Sequence, residues 1–268
     1  MSAVTSLGDN VFVFRCHSRR IEVYNAVTFT LKRCLTVPGF GSHSQSLSLA
    51  ACASNDCVYA SDFDNSIVGL HRAQLPRGGT MKWTKWSVAR NPVCLSVNNA
   101  QNVVVISEGD RMLQEFTTYR NVQLQSESES SWHAVQLSNG QFVVSYSGSL
   151  QLVDVTGTPL RSYSGMDSKF VHLAVDKAER VFVVDENYNK LFIADQSLTS
   201  VHEITVPVDG GLYDPYRLWH DKSRDRLYIG EWYGGRVIVV DFAAAAADLT
   251  LRSAFIVVRP GFKVNERT

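Results

Sequence analysis

A strand–turn–strand unit recurs along this chain, and that recurrence constrains the fold more than any other feature. Residues 180–195 (RVFVVDENYNKLFIAD) align without a gap on 226–241 (RLYIGEWYGGRVIVVD). Each is a strand, a polar turn, a basic residue, a second strand and a closing aspartate. The frame recurs more loosely at 10–25, 57–72, 102–116 and 141–155. Phe12, Tyr59, Val104, Phe142, Phe182 and Tyr228 as equivalent anchors give spacings of 47, 45, 38, 40 and 46. Runs of Val, Ile, Phe and Tyr bounded by Asn, Asp, Ser and Gly are strand and turn punctuation. Helical periodicity is nearly absent. The one helix-friendly stretch, 243–248 (AAAAAD), is too short to nucleate a helix alone and reads as a loop or a single turn.

Six units of about 45 residues, each with about four strands, have the period of propeller blades. The expectation is one all-β domain over 1–268, a six-bladed β-propeller with about four antiparallel strands per blade. The fifth unit predicts strands at 172–176, 180–185, 190–195 and 200–207, the fourth at 132–137, 141–147, 150–155 and 159–165. The second strand of each unit is apolar almost throughout, because blades packed face to face bury both of its sides.

The 26 basic and 26 acidic side chains cancel. No excess positive charge is available for phosphate, so nucleic acid is not the expected partner. No run nears the roughly 20 apolar residues that span a bilayer. The N-terminus lacks a basic segment followed by an apolar one, so a soluble cytoplasmic protein is expected. Five cysteines without CxxC spacing suit reduced thiols. Cys52 and Cys57 flank the turn 53–56, where they can face each other bonded or free.

The run HLAVD (172–176) followed by RVFVVDENYNKLFIAD resembles the NHL repeat. Residues 226–241 have the same form, and SDFDNSIVGLHR (61–72) is similar, with Asp62 and Asn65 in the expected places. Arg15, Ser107 and Ser145 stand near the position where the repeat favours Asp. The resemblance implies a propeller, and propellers of this kind serve as protein- or RNA-binding platforms. Related six-bladed families include metal-dependent hydrolases and lyases, so fold alone does not choose a function. No RING-like or B-box-like Cys/His array accompanies the repeats.

Repeat aspartates such as Asp62 and Asp185 are expected to accept turn N–H groups. The starts of the innermost strands are more informative, because they line the central channel. Alignment puts Ser48, Cys94, Trp132, His172 and Arg217 at equivalent places, with the first unit contributing near residues 3–5 and His133 one residue beyond Trp132. This ring varies while its frame repeats, which a site for one asymmetric ligand would favour; the alternative is that these residues pack or line the pore with no ligand. Trp232 and Tyr233 lie on the rim, in an aromatic-rich sector with Tyr213 and Tyr216. Arg217 suits an anionic group, and Trp132 a flat apolar contact.

Two readings follow. The first is a monomeric binding or scaffold propeller that holds a protein partner or a small ligand at the channel mouth, without a cofactor. The second is a metal-dependent hydrolase or lyase with His172 and His133 at its centre and calcium or zinc as its ion. Catalytic zinc wants about three ligands, for which only His172, His133 and Cys94 qualify, and calcium wants six to eight oxygens. No metal site is therefore expected. Ser48, Cys94, His172 and Arg217 hold the atoms of a nucleophile, a base and an anion clamp, but no nucleophile elbow frames them. The Gly-rich segments 41–46 and 76–79 neither follow a strand nor open a helix, so neither is a phosphate loop. A third reading is RNA binding by Arg19-Arg20 and Lys32-Arg33.

Overall fold

The computed structural model describes residues 2–15, 20–37, 48–62, 66–71, 83–87, 92–107, 112–116, 120–123, 131–232, 235–242 and 251–258, and every regular element among them is a strand. Segments 41–46, 76–79 and 243–248, together with Arg19 and Tyr233, lie outside the described residues. Among the described residues no helix is long and apolar enough to cross a membrane.

The strands form antiparallel meanders. β1 (Ser2–Leu7), β2 (Asn10–Arg15), β3 (Arg20–Asn25) and β4 (Leu31–Thr36) make the first sheet. β5 (Leu49–Cys52), β6 (Cys57–Asp62), β7 (Ser66–His71) and β8 (Trp83–Ser87) make the second. β9 (Pro92–Val97), β10 (Val103–Ser107), β11 (Met112–Glu115) and β12 (Arg120–Gln123) make the third. A longer sheet runs through β13 (Ser131–Gln136), β14 (Phe142–Val153), β15 (Pro159–Val175), β16 (Val181–Asp185), β17 (Lys190–Ala194) and β18 (Val201–Ile204). The last holds β19 (Pro215–Asp221), β20 (Arg226–Glu231), β21 (Val237–Phe242) and β22 (Leu251–Val258).

The longer sheet departs from the expected boundaries. The strands predicted at 141–147 and 150–155 are one strand, β14, whose register shifts between Ser147 and Ser149. Gly148, at φ 80°, takes the bend without ending the strand. β15 pairs with β14 through its first half and with β16 through its second. The outer edge of the fourth unit thus runs unbroken into the inner strand of the fifth.

The first strand of each unit packs on the next: β1 on β5, β5 on β9, β9 on β13, β13 on β15, β15 on β19, and β19 back on β1. Side chains tie this last junction. Trp219 Nε1 donates to Ser6 Oγ at 2.8 Å, and Arg224 reaches Gly8 O and Asp9 Oδ1, each at 2.8 Å. Val4, Val11 and Val13 share one apolar cluster with Tyr228, Val237 and Val239. The second strands β10 and β16 are buried throughout, whereas the outer β18 is not.

The turn that follows each inner strand repeats too. Asp56, Gln101, Gly140, Glu179 and Asp225 all adopt positive φ just before the second strand. Asp176 Oδ1 accepts the N–H groups of Ala178 (2.8 Å) and Arg180 (2.9 Å). Asp185 Oδ1 accepts those of Asn187 (3.0 Å), Lys169 (3.2 Å) and Tyr188 (3.3 Å). The turn role expected of Asp185 is what its contacts show, and the nearby Lys190 pairs with Glu203. Cys52 and Cys57 stand directly opposite across their hairpin, and both are buried free thiols.

Candidate functional site

Register decides which inner-strand side chains share a level. Cys94 lies opposite Ile106, His133 opposite Ser145, His172 opposite Val184 and Arg217 opposite Gly230. The fourth unit therefore contributes His133, not Trp132, at this level. The reason is a bulge: the pairing jumps from Ser131 to His133, as it jumps from Phe170 to His172 and from Pro215 to Arg217. Trp132 is the extra residue of its bulge, as Val171 and Tyr216 are of theirs. Its half-buried ring lies under Lys169 Nζ, 5.2 Å from the centroid.

Ser48, Cys94, His133, His172 and Arg217 are all buried. Ser48 Oγ lies 3.5 Å from Cys94 Sγ, which lies 3.5 Å from His172 Nε2. The rings of His133 and His172 stack with centroids 3.6 Å apart. The Arg217 guanidinium lies over the Tyr216 ring at 4.4 Å, and Trp232 meets the same ring edge-on at 4.5 Å. Four of the five residues aligned as the ring, with His133 in Trp132's stead, thus form one cluster. Trp232 flanks it through Tyr216.

The hydrogen bonds explain these residue types. An innermost strand turns one edge toward the axis, and its N–H groups there need acceptors. Ser48 Oγ takes the N–H of Leu95 (3.1 Å), His133 Nδ1 that of Leu173 (3.2 Å) and His172 Nδ1 that of Leu218 (3.2 Å). In each case the side chain caps a residue of a following unit.

Those bonds also fix the imidazole tautomers. A neutral ring whose Nδ1 accepts carries its proton on Nε2. His133 Nε2 then donates to Leu95 O (3.4 Å), and His172 Nε2 points its hydrogen at Cys94 Sγ. Burial, aided by the Arg217 charge, pushes His133 down to about 3. Burial, then His133 and Arg217, push His172 well below its ordinary value. Burial also raises the Cys94 thiol, against the opposing pull of Arg217.

Cys94, His133 and His172 place one ligand atom each within 4.8 Å of one another. A metal-bound histidine normally donates its other N–H to an acceptor. Here the other nitrogen faces a main-chain N–H, so coordination through Nε2 would require an imidazolate. The donor set does not fit a metal ion. The same logic removes a thiol–imidazole nucleophile: the nitrogen facing Cys94 carries a proton and has no lone pair with which to accept one.

From His133 and His172 a narrow channel of about 110 Å³ runs along the inner strands toward the hairpin turns. There it adjoins a basin of about 460 Å³, with which it shares Val97, Asn99, Trp219, His220 and Lys222. Of the cluster, His133 and His172 border this channel. Ser96, Val135, Ala174 and Trp219 line the wall two residues beyond the cluster positions, on the same strand face. Alternation counted from the aligned ring finds Ser96, Ala174 and Trp219, but from Trp132 it gives Ala134 and misses Val135. Lys222, in the turn after β19, carried no signal.

No protein-family model matches this chain, and no curated protein matches its sequence. Solved structures do. A streptogramin B lyase superposes with TM-score 0.68 at 11% identity, covering 94% of this chain and 81% of that one. Virginiamycin B lyase from Staphylococcus aureus gives 0.66 at 11%, covering 95% and 83%. A chain of a nidogen/laminin complex gives 0.70 at 14%, covering 92% and 93%. Together with the antiparallel meanders these define the class: an all-β protein of propeller type. At such identities the likeness carries the fold and nothing further.

Proposed function

We propose that the chain is a single six-bladed propeller of the NHL type, and that it is a binding module taking a small ligand into its central channel from the hairpin-turn side. The observation that carries this is a channel bordered by two neutral histidines. Its two histidines are held uncharged with their acceptor nitrogens occupied by main chain, so they shape the wall of a pocket without offering a base or a metal ligand. The lyase-like neighbours keep an enzymatic reading in view, and the nidogen/laminin neighbour a protein partner, but the cluster's chemistry favours binding over catalysis. RNA binding draws no support at Lys32, whose ammonium is spent on Asp9 O and Asn10 Oδ1.

The test is a ligand-observed NMR screen of small organic molecules against the wild type and Ser96→Phe, whose added ring fills the channel. Hits that compete with one another and vanish in the variant are expected. Hits indifferent to Ser96→Phe would sink the channel reading. Stoichiometric zinc that survives dialysis and is lost in His133→Phe would restore the metal-dependent enzyme.

A further inference from the structure

The first hairpin of a unit is closed by one residue pair just before its turn. In the third unit Asn98 Oδ1 accepts the N–H of Asn102 at 2.8 Å, and in the fifth Asp176 Oδ1 accepts that of Arg180 at 2.9 Å. The second unit puts Cys52 and Cys57 there, directly opposite each other. A thiol is a poor substitute for those acceptors, so turn chemistry does not explain the pair. Both cysteines are reduced and wholly buried, and both belong to one apolar cluster, so their sulfurs share a face.

Register fixes how closely they approach. Ser61 donates its N–H to Ser48 O at 3.0 Å, and pairs bonded in that way alternate along an antiparallel ladder. Ala50 with Tyr59 and Cys52 with Cys57 are therefore hydrogen-bonded pairs too. Such pairs set their Cα atoms about 5.5 Å apart, within the span a disulfide bridges, but their Cβ atoms must close by about 1 Å. A bond made there is strained, and a strained disulfide is readily reduced. Access comes from the turn, because Cys52 Sγ lies 3.4 Å from Oγ of the exposed Ser54.

We propose that Cys52 and Cys57 form a reversible disulfide site that responds to hydrogen peroxide. The Cys52 thiolate attacks one peroxide oxygen and breaks the O–O bond, giving a sulfenic acid and a hydroxide that takes up the proton the thiol gave up. The Cys57 sulfur then attacks the sulfenic sulfur, its proton leaves with the displaced hydroxide as a second water, and the S–S bond forms. The two sulfurs lose two electrons and the peroxide gains them. An exchanging thiol such as glutathione reverses the step. Oxidation also acts on the basin. The Cys52 S–H donates to Gln101, 3.5 Å from its O and 3.6 Å from its Oε1, and the Ser54 N–H meets the same Oε1 at 3.4 Å. A disulfide has no S–H to give, and Gln101 and Ala53 line the basin, so its wall changes with redox state. Nothing in the channel takes part in this chemistry, so a failure here leaves the channel reading standing.

In a Cys34→Ser background the tryptic peptide 34–72 holds no cysteine but this pair. Cys34 is exposed, and a thermal midpoint equal to that of the wild type will show that the variant folds. The folded protein is treated with hydrogen peroxide, its thiols are alkylated in denaturant, and the digest is weighed. The expected peptide takes no alkyl group and lies about 2 Da below the reduced one, and millimolar glutathione applied before alkylation restores two alkylated thiols. An alkylated peptide, a peptide carrying added oxygen, or a disulfide that glutathione leaves intact overturns the reversible site. The side-chain amide NMR signal that Gln101→Glu removes is expected to move on oxidation, and a signal that stays in place overturns the coupling to the basin.

Discussion

At the scale of single residues, His133 and His172 couple the channel wall to pH. Each folded-state pKa lies below the ordinary value of 6.5, so the folded protein keeps the ring neutral where the unfolded chain protonates it. Their contribution is complete above the unfolded value and is lost as pH falls, for His133 over the range from 6.5 to about 3. Each ring adds a slope of up to about 1.4 kcal/mol per pH unit in that window. Asp154, Asp195 and Asp221 are held below the ordinary carboxylate range, so their losses come at lower pH. His220, also lowered, keeps part of the slope in any variant of the other two. Urea midpoints taken stepwise between about pH 6.5 and 4.5 should fall steeply in the wild type and less steeply in His133→Phe/His172→Phe. An unchanged slope would mean that the rings are charged in the folded state. Most of this cluster was legible in the sequence, because ring positions follow from repeat alignment. Trp132 was misplaced because a bulge adds one residue without altering the apolar pattern, and only pairing reveals it. The tautomers were invisible because they depend on N–H groups of another unit.

At the scale of elements, the inner hairpins are the recurring device, and a left-handed residue sits before each second strand. Four such positions hold Asp, Gln or Glu, and two hold glycine, Gly8 at φ 56° and Gly140 at φ 88°. Gly140→Ala brings its methyl group no closer than 3.5 Å to Val155, so space is not the obstacle. The cost is backbone strain of about 1–2 kcal/mol. Chemical denaturation should show a loss of that size, and a neutral result would place residue 140 in a different turn. Strand identity at this scale was readable from β-branched and aromatic runs, and the last three strands of the fifth unit fell within a few residues of their expected bounds, whereas the first, expected at 172–176, is the end of β15, which starts at Pro159. The fusion of 141–147 with 150–155 was not readable, because Ser-Gly-Ser looks like a turn whether the chain reverses there or only bends.

At the scale of the whole molecule, the question is whether the last unit and the first lock together as firmly as interior neighbours do. Val239, in the last unit, is wholly buried in a cluster shared with Val4, Val11 and Val13 of the first. Val183 is equally buried, in the core that joins β14 to β16. If the circuit closes, a hole at either place is felt by the entire protein. Val183→Ala and Val239→Ala should then each cost about 1.5–3 kcal/mol and shift a single urea transition by similar amounts. An open circuit gives a different outcome: the terminal unit would fray alone, and Val239→Ala would add a separate transition at low urea. Neither residue nor repeat spacing announces this property in the sequence, because it turns on contacts between residues more than 200 apart, such as Trp219 with Ser6. A ring holds its inner strands in place from both sides, and only inner strands so held can keep a narrow channel open between them.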